Sequence, residues 1–132
     1  MRLTPVFLAL AAAPALAAGT QTPSAYLQRL ATQARAVAGF DGFSPARGQQ
    51  FFNHRCGEWS CASCHGPAPL AAGKHARTGK QIAPLAPAVH PERFTDAAKI
   101  EKWFRRNCND VLGRECTAIE KGDVLSWLLS LR

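Results

Sequence analysis

The sequence predicts an all-α domain. Its apolar residues recur at helical spacing, helix-starting signals precede those runs, and no run alternates with the period of two that strands require. No internal repeat is present. The chain has 132 residues, enough for one domain with a modest core. Seven Phe, three Trp and one Tyr supply its aromatic content.

Residues 1–17 read as a signal peptide rather than as part of the domain. Arg2 supplies a positive start, residues 6–13 form an apolar run too short to span a bilayer, and Ala15-Leu16-Ala17 is an A-x-A cleavage site. No other segment approaches transmembrane length, so no stable membrane insertion is expected. The reading is a periplasmic protein, exported into a compartment where disulfides persist.

Thr22-Pro23 opens the first helix. Tyr26, Leu27, Leu30, Ala34 and Val37 mark its apolar side, and Gly39, Asp41 and Gly42 end it. Residues 18–43 thus form an N-terminal helical extension, and residues 44–132 the main domain. Ser44 is an N-cap with Pro45 at the first helical position, starting a helix over residues 45–54 that carries Gly48, Phe51 and Phe52. Residues 66–91 are rich in Pro, Gly and Ala. A loop of that length in a compact domain is usually functional, and wrapping a cofactor would explain it. Thr95-Asp96 starts a helix running to about residue 106, with Ile100, Trp103 and Phe104 on one face. Thr117 and Glu120 form a capping box for the last helix, whose apolar side is Val124, Leu125, Leu128 and Leu129.

Cys61-Ala62-Ser63-Cys64-His65 is C-x-x-C-H, the attachment signature of c-type haem. Each thiol adds across one vinyl group, and two intervening residues let both sulfurs reach the ring. The following His65 becomes the proximal iron ligand. Half a zinc site is disfavoured because no second ligand pair has suitable spacing. A thioredoxin-like pair is disfavoured because no βαβ context surrounds it. One covalently bound haem c is therefore expected.

Methionine is the common sixth ligand of small cytochromes c. The only Met here is Met1, which leaves with the signal peptide. His54, His75, His90, a Lys, an Asn or an open position remain. His54 lies close to the motif, whereas His75 and His90 lie in the wrapping loop. Bis-His coordination and an open or weakly held site compete at this level.

Five cysteines are present, an odd number. Cys108 and Cys116, eight apart, bracket what reads as a short turn between the last two helices and are positioned to pair. Cys56 then has no partner. The formal charge is +7, of which Arg2 contributes one. A basic surface suits an acidic protein partner, with Lys74, Arg77, Lys80, Arg105, Arg106 and Arg114 as candidates near the haem. Export, and the absence of basic clusters interleaved with aromatics, argue against nucleic acid.

Several strings resemble the sphaeroides haem protein family, over about residues 44–129. They are Thr78-Gly79-Lys80 with Ile82-Ala83-Pro84-Leu85-Ala86-Pro87, Arg93-Phe94-Thr95-Asp96 with Glu101-Lys102-Trp103, and Arg105-Arg106-Asn107-Cys108-Asn109 with Val111-Leu112-Gly113-Arg114. The resemblance implies a class I cytochrome c fold and His/Asn iron coordination in the oxidised state. It places the distal ligand at Asn107 and the family's disulfide at Cys108 and Cys116. It also implies that the Asn leaves on reduction, freeing a site for dioxygen or nitric oxide, and that a diheme cytochrome c is the redox partner. An amide oxygen is a hard, weak donor, better suited to ferric than ferrous iron. Cys56 departs from the family pattern.

The function expected is thus a redox-active monohaem cytochrome whose ferrous form binds diatomic ligands. Alternatives are a simple electron-transfer cytochrome with closed six-coordinate iron, or an oxygen- or nitric-oxide-converting haem enzyme. No His/Arg peroxidase constellation is readable. The balance favours electron transfer and ligand binding over dedicated catalysis, which would depend on haem reactivity and electron supply.

Overall fold

The computed structural model describes residues 20–132, so the signal-peptide reading of residues 1–17 lies outside the described residues. Five helices and one two-stranded hairpin follow in the order α1 (Pro23–Ala34), α2 (Pro45–Asn53), α3 (Ala62–His65), β1 (Gly73–Lys74), β2 (Gln81–Ile82), α4 (Ala97–Leu112) and α5 (Ala118–Ser130). The fold is all-α around that small hairpin.

The four longer helices begin at side-chain caps. Thr22 accepts from the Ala25 N–H at 3.1 Å, Ser44 from Arg47 at 3.2 Å and Asp96 from Lys99 at 3.0 Å. Thr117 and Glu120 cap α5 reciprocally. Two boundaries differ from the sequence reading. α1 stops at Ala34, leaving Val37 half-exposed beyond it. α4 runs on to Leu112, six residues past the expected end, and stops where Gly113 takes a left-handed conformation. Asn107, Asn109 and Asp110 read locally as helix enders. The burial of Cys108 outweighs that weak propensity.

α5 is the central element, packed against both α1 and α2. Tyr26, Leu30, Ile100 and Leu125 form one core cluster; Phe52, Val124, Trp127 and Leu128 form the other. α2 and α5 cross at van der Waals contact through glycines. A Cβ on Gly48 would collide with the Asp123 backbone, and one on Gly122 with the Phe43 ring. Asp123 locks the crossing: its buried carboxylate accepts from the Ser44 N–H at 2.6 Å and from Arg47 Nε at 2.8 Å and Nη2 at 3.0 Å.

The stretch read as a wrapping loop is ordered by anchors. Pro69 is fully buried, and its carbonyl accepts from the Leu85 and Ala86 N–H groups at 3.2 and 3.1 Å. β1 and β2 pair antiparallel, Gly73 opposite Ile82 and Lys74 opposite Gln81. Strands of two residues are too short to produce a readable alternation, so periodicity does not reveal them.

Candidate haem site

The C-x-x-C-H segment forms its own helical turn, α3. A reciprocal pair starts it: the Ser60 N–H donates to Ser63 Oγ at 2.9 Å, and the Ser63 N–H to Ser60 Oγ at 3.1 Å. Gly66, at φ +80°, ends it. On a helix, residues three and four apart are neighbours, so Cys61, Cys64 and His65 face one side. Burial pushes the Cys61 thiol up to about 11, with nearby Cys56 and Cys64 adding to the shift against a backbone hydrogen bond. Burial, then the positive charge of Arg93, pushes His65 down to about 4. The imidazole is therefore neutral at physiological pH, the form that donates a lone pair to a metal.

An apolar wall stands beside the motif. Phe52 lies 6.1 Å from the His65 ring and 5.0 Å from the Trp127 ring, centroid to centroid. Cys61, Ala62, Leu85, Phe94 and Phe104 pack half-buried against the same cluster. Free thiols, a neutral imidazole and apolar neighbours are the donor set and surroundings that a covalently held macrocycle needs. The residues present fit haem c.

Asn107 sits on α4 rather than in a turn. It lies three residues after Phe104 and seven after Ile100, on the helix side those two turn toward the core. Among the described residues its amide makes no hydrogen bond, whereas Asn109 donates from Nδ2 to the Arg105 carbonyl at 2.9 Å. A disulfide joins Cys108 to Cys116. It spans the turn between α4 and α5 that the sequence suggested, with its first cysteine inside α4 rather than in the turn. It ties the last two turns of α4 to the residue preceding the α5 cap.

The histidines separate clearly. His54 ends α2 and lines an open groove of about 410 Å³ with Arg47, Gln50, Phe51 and Asp123; the C-x-x-C-H residues are not part of it. His75 Nδ1 accepts from the Arg77 and Thr78 N–H groups at 3.3 and 3.2 Å and so caps its own turn. His90 is half-buried, and its Nδ1 is buried with no partner. Cys56 is a free thiol in a tight turn bridged to Trp59.

Three residues gained no role from sequence reasoning. Arg93 donates from Nε to the Pro84 carbonyl and from Nη2 to the Ala83 carbonyl, both at 2.8 Å, pinning the loop beside His65. Phe94 holds a left-handed backbone at φ +63° and reaches both core clusters. Gly73 packs against the Cys64 and His65 backbone where a Cβ would clash. Of the three, only the glycine carries a local signal, and a Gly in a Gly-rich loop does not stand out.

A helical fold that sets a half-buried C-x-x-C-H beside apolar helices defines a c-type cytochrome, and with one such motif this chain is a monohaem one carrying haem c. Residues 38–128 match the family described as "Domain of unknown function (DUF1924)", and the chain belongs to it, within the sphaeroides haem protein group. Cytochrome c-type protein SHP of Cereibacter sphaeroides is 59% identical over 69 residues, covering 52% of this chain and 53% of that one. Cytochrome c'' of Methylophilus methylotrophus is 44% identical over 88 residues, covering 63% and 61%. These alignments therefore span under two-thirds of either relative. The solved structure of oxidised SHP, described as an oxygen-binding cytochrome c, superposes with a TM-score of 0.73 at 41% identity, covering 83% of this chain and 97% of that one.

Proposed function

We propose that His65 is the proximal ligand and Asn107 the distal ligand of the ferric iron, with Cys61 and Cys64 as the thioether anchors. Haem c supplies a one-electron couple and, with one axial position open, a place for a diatomic molecule. Asn107 offers an amide oxygen that favours ferric iron and releases on reduction. With haem c bound, release of the Asn107 amide would leave a place for dioxygen or nitric oxide. The observation that carries this reading is the uncommitted Asn107 amide on the core-facing side of α4, one residue from a disulfide-anchored cysteine. Tethering at Cys108 holds the amide near its place without a strong bond to iron. The oxygen-binding description of oxidised SHP agrees with it.

Residues 1–17 are read here as an export signal to the periplasm, 18–43 as a helical extension, and 44–132 as the cytochrome domain. Among the described residues no helix is long and apolar enough to cross a membrane. The redox partner is read as another exported cytochrome, such as a diheme cytochrome c.

A second reading rests on His90. Its buried, unpartnered Nδ1 would suit bis-His coordination and a closed, purely electron-transferring site. Optical spectra of the oxidised, reduced and carbon-monoxide-treated protein separate the two. The first reading expects high- or mixed-spin ferric haem and carbon monoxide binding on reduction. Asn107→Ala should open the ferric site to added ligands while keeping the haem attached, and Asn109→Ala should not. A low-spin ferrous protein that refuses carbon monoxide, restored to binding by His90→Ala, sinks the Asn107 reading.

A further inference from the structure

Between Glu58 and Glu92 the chain carries no carboxylate side chain. Lys74, Arg77 and Lys80 fall within that stretch, exposed on the β1–β2 hairpin. The ion pairs among the described residues use Arg47, Lys99, Arg114 and Lys121 instead. The hairpin charges are therefore unneutralised.

The hairpin is also closed by its own hydrogen bonds. Beyond the strand pairing, the His75 N–H donates to the Lys80 carbonyl at 2.8 Å and the Gly79 N–H to the His75 carbonyl at 2.8 Å. His75 Nδ1 closes the tip by accepting from Arg77 and Thr78. The base is seated on the attachment motif. Gly73 touches the Cys64 and His65 backbone, and the Ala76 N–H reaches Cys64 Sγ at 3.2 Å.

We propose that the hairpin of residues 73–82 is the docking surface through which an acidic redox protein exchanges electrons with this cytochrome. Unpaired cations on one element attract a carboxylate-bearing surface and speed encounter. A hairpin that is already ordered loses little entropy on docking. The Ala76–Cys64 contact would set a partner docked on the hairpin beside the sulfur that would anchor haem c. The other basic stretch is less suited. Lys102, Arg105 and Arg106 share α4 with Asp96-capped Lys99, Glu101 and Asp110, and the Lys102 and Arg106 cations lie over the Trp103 ring at 6.0 and 5.5 Å. The proposal rests on Cys64 as a haem anchor, not on Asn107 as the distal ligand.

The test uses the haem-loaded protein and a reduced flavodoxin of acidic surface as probe, with rates read by stopped flow at matched driving force. The K74E/R77E/K80E variant should slow the bimolecular rate by about tenfold or more at low ionic strength, with the difference vanishing in high salt. The R29E/R35E/R132E variant has the same change in net charge and should slow it less than about threefold. Amide resonances of residues 73–82 should shift on adding flavodoxin to the wild type and not to the hairpin variant. Equal slowing by both variants, greater slowing by K102E/R105E/R106E, or no amide shift in the hairpin overturns the proposal. So does an unchanged flavodoxin rate with lost binding to phosphatidylglycerol vesicles, which would assign the hairpin to a membrane surface. Pyridine haemochrome spectra on each variant report haem attachment separately, and carbon monoxide binding reports Asn107 release separately.

Discussion

Arg93 shows how one side chain can tune a site it does not line by motif. Its guanidinium is half-buried, held by two loop carbonyls, and close enough to His65 to lower its basicity. A fixed positive charge there opposes the extra charge of the ferric state. Arg93→Gln should therefore lower the midpoint potential by some tens of millivolts, the scale of one unit charge acting through an effective dielectric of about 20. Potentiometric titration checks this, and a potential unchanged or raised would mean the charge is already cancelled. At this scale the site was half legible. Cys61, Cys64 and His65 announce themselves because covalent attachment fixes their spacing. Arg93 does not, because its role depends on where a loop folds back. Spacing alone does not separate Asn107 from Asn109; the family resemblance points to Asn107, and the Asn109–Arg105 hydrogen bond leaves Asn107 as the uncommitted amide.

Among elements, the α2–α5 crossing and the α4–α5 tether carry the most consequence. Gly48→Ala would drive a methyl group into the Asp123 backbone, which cannot yield as a flexible side chain can. The expected cost is about 3 kcal/mol, the upper end of overpacking, read as a lower denaturant midpoint. A neutral effect would mean the helices can part without loss. Removing both Cys108 and Cys116 as serines should cost roughly 2–3 kcal/mol by loop-closure entropy for a short loop. The same variant should show faster amide exchange in the last two turns of α4, which include Asn107. If the stability falls but that exchange does not rise, the bridge is a staple with no bearing on the distal side. The helix starts were legible because caps are local chemistry: Thr22, Ser44, Asp96 and Thr117 all act within one turn. The end of α4 was not, because burial of Cys108 is a tertiary effect that overrides the turn-forming residues around it.

At the scale of the whole molecule, Glu101 joins three helices. Its carboxylate accepts from the buried Tyr26 hydroxyl of α1 and from Lys121 Nζ of α5 at 2.7 Å, while Glu101 itself belongs to α4. No sequence signal shows this junction, since its members are 75 and 20 residues from Glu101 along the chain. Burial alone would raise the Glu101 pKa. The hydrogen bonds from Lys121 and Tyr26, with the charges of Lys121 and Arg29, outweigh it and hold the group below the ordinary range for a glutamate. A carboxylate depressed in the folded state contributes stability above its unfolded pKa and loses it as pH falls through the folded value. Glu101→Gln keeps an oxygen for Tyr26 but loses the charge that Lys121 needs. At pH 7 it should cost about 1 kcal/mol, below the usual range for a charged hydrogen bond because the group is a third exposed. The gap to wild type should narrow in acid, as the wild-type carboxyl takes up its proton. Thermal unfolding of both proteins at about pH 7 and about pH 3 decides it, since the covalent haem stays attached throughout. A gap of the same size at both pH values would show that shape, not charge, makes Glu101 the joint between α1, α4 and α5.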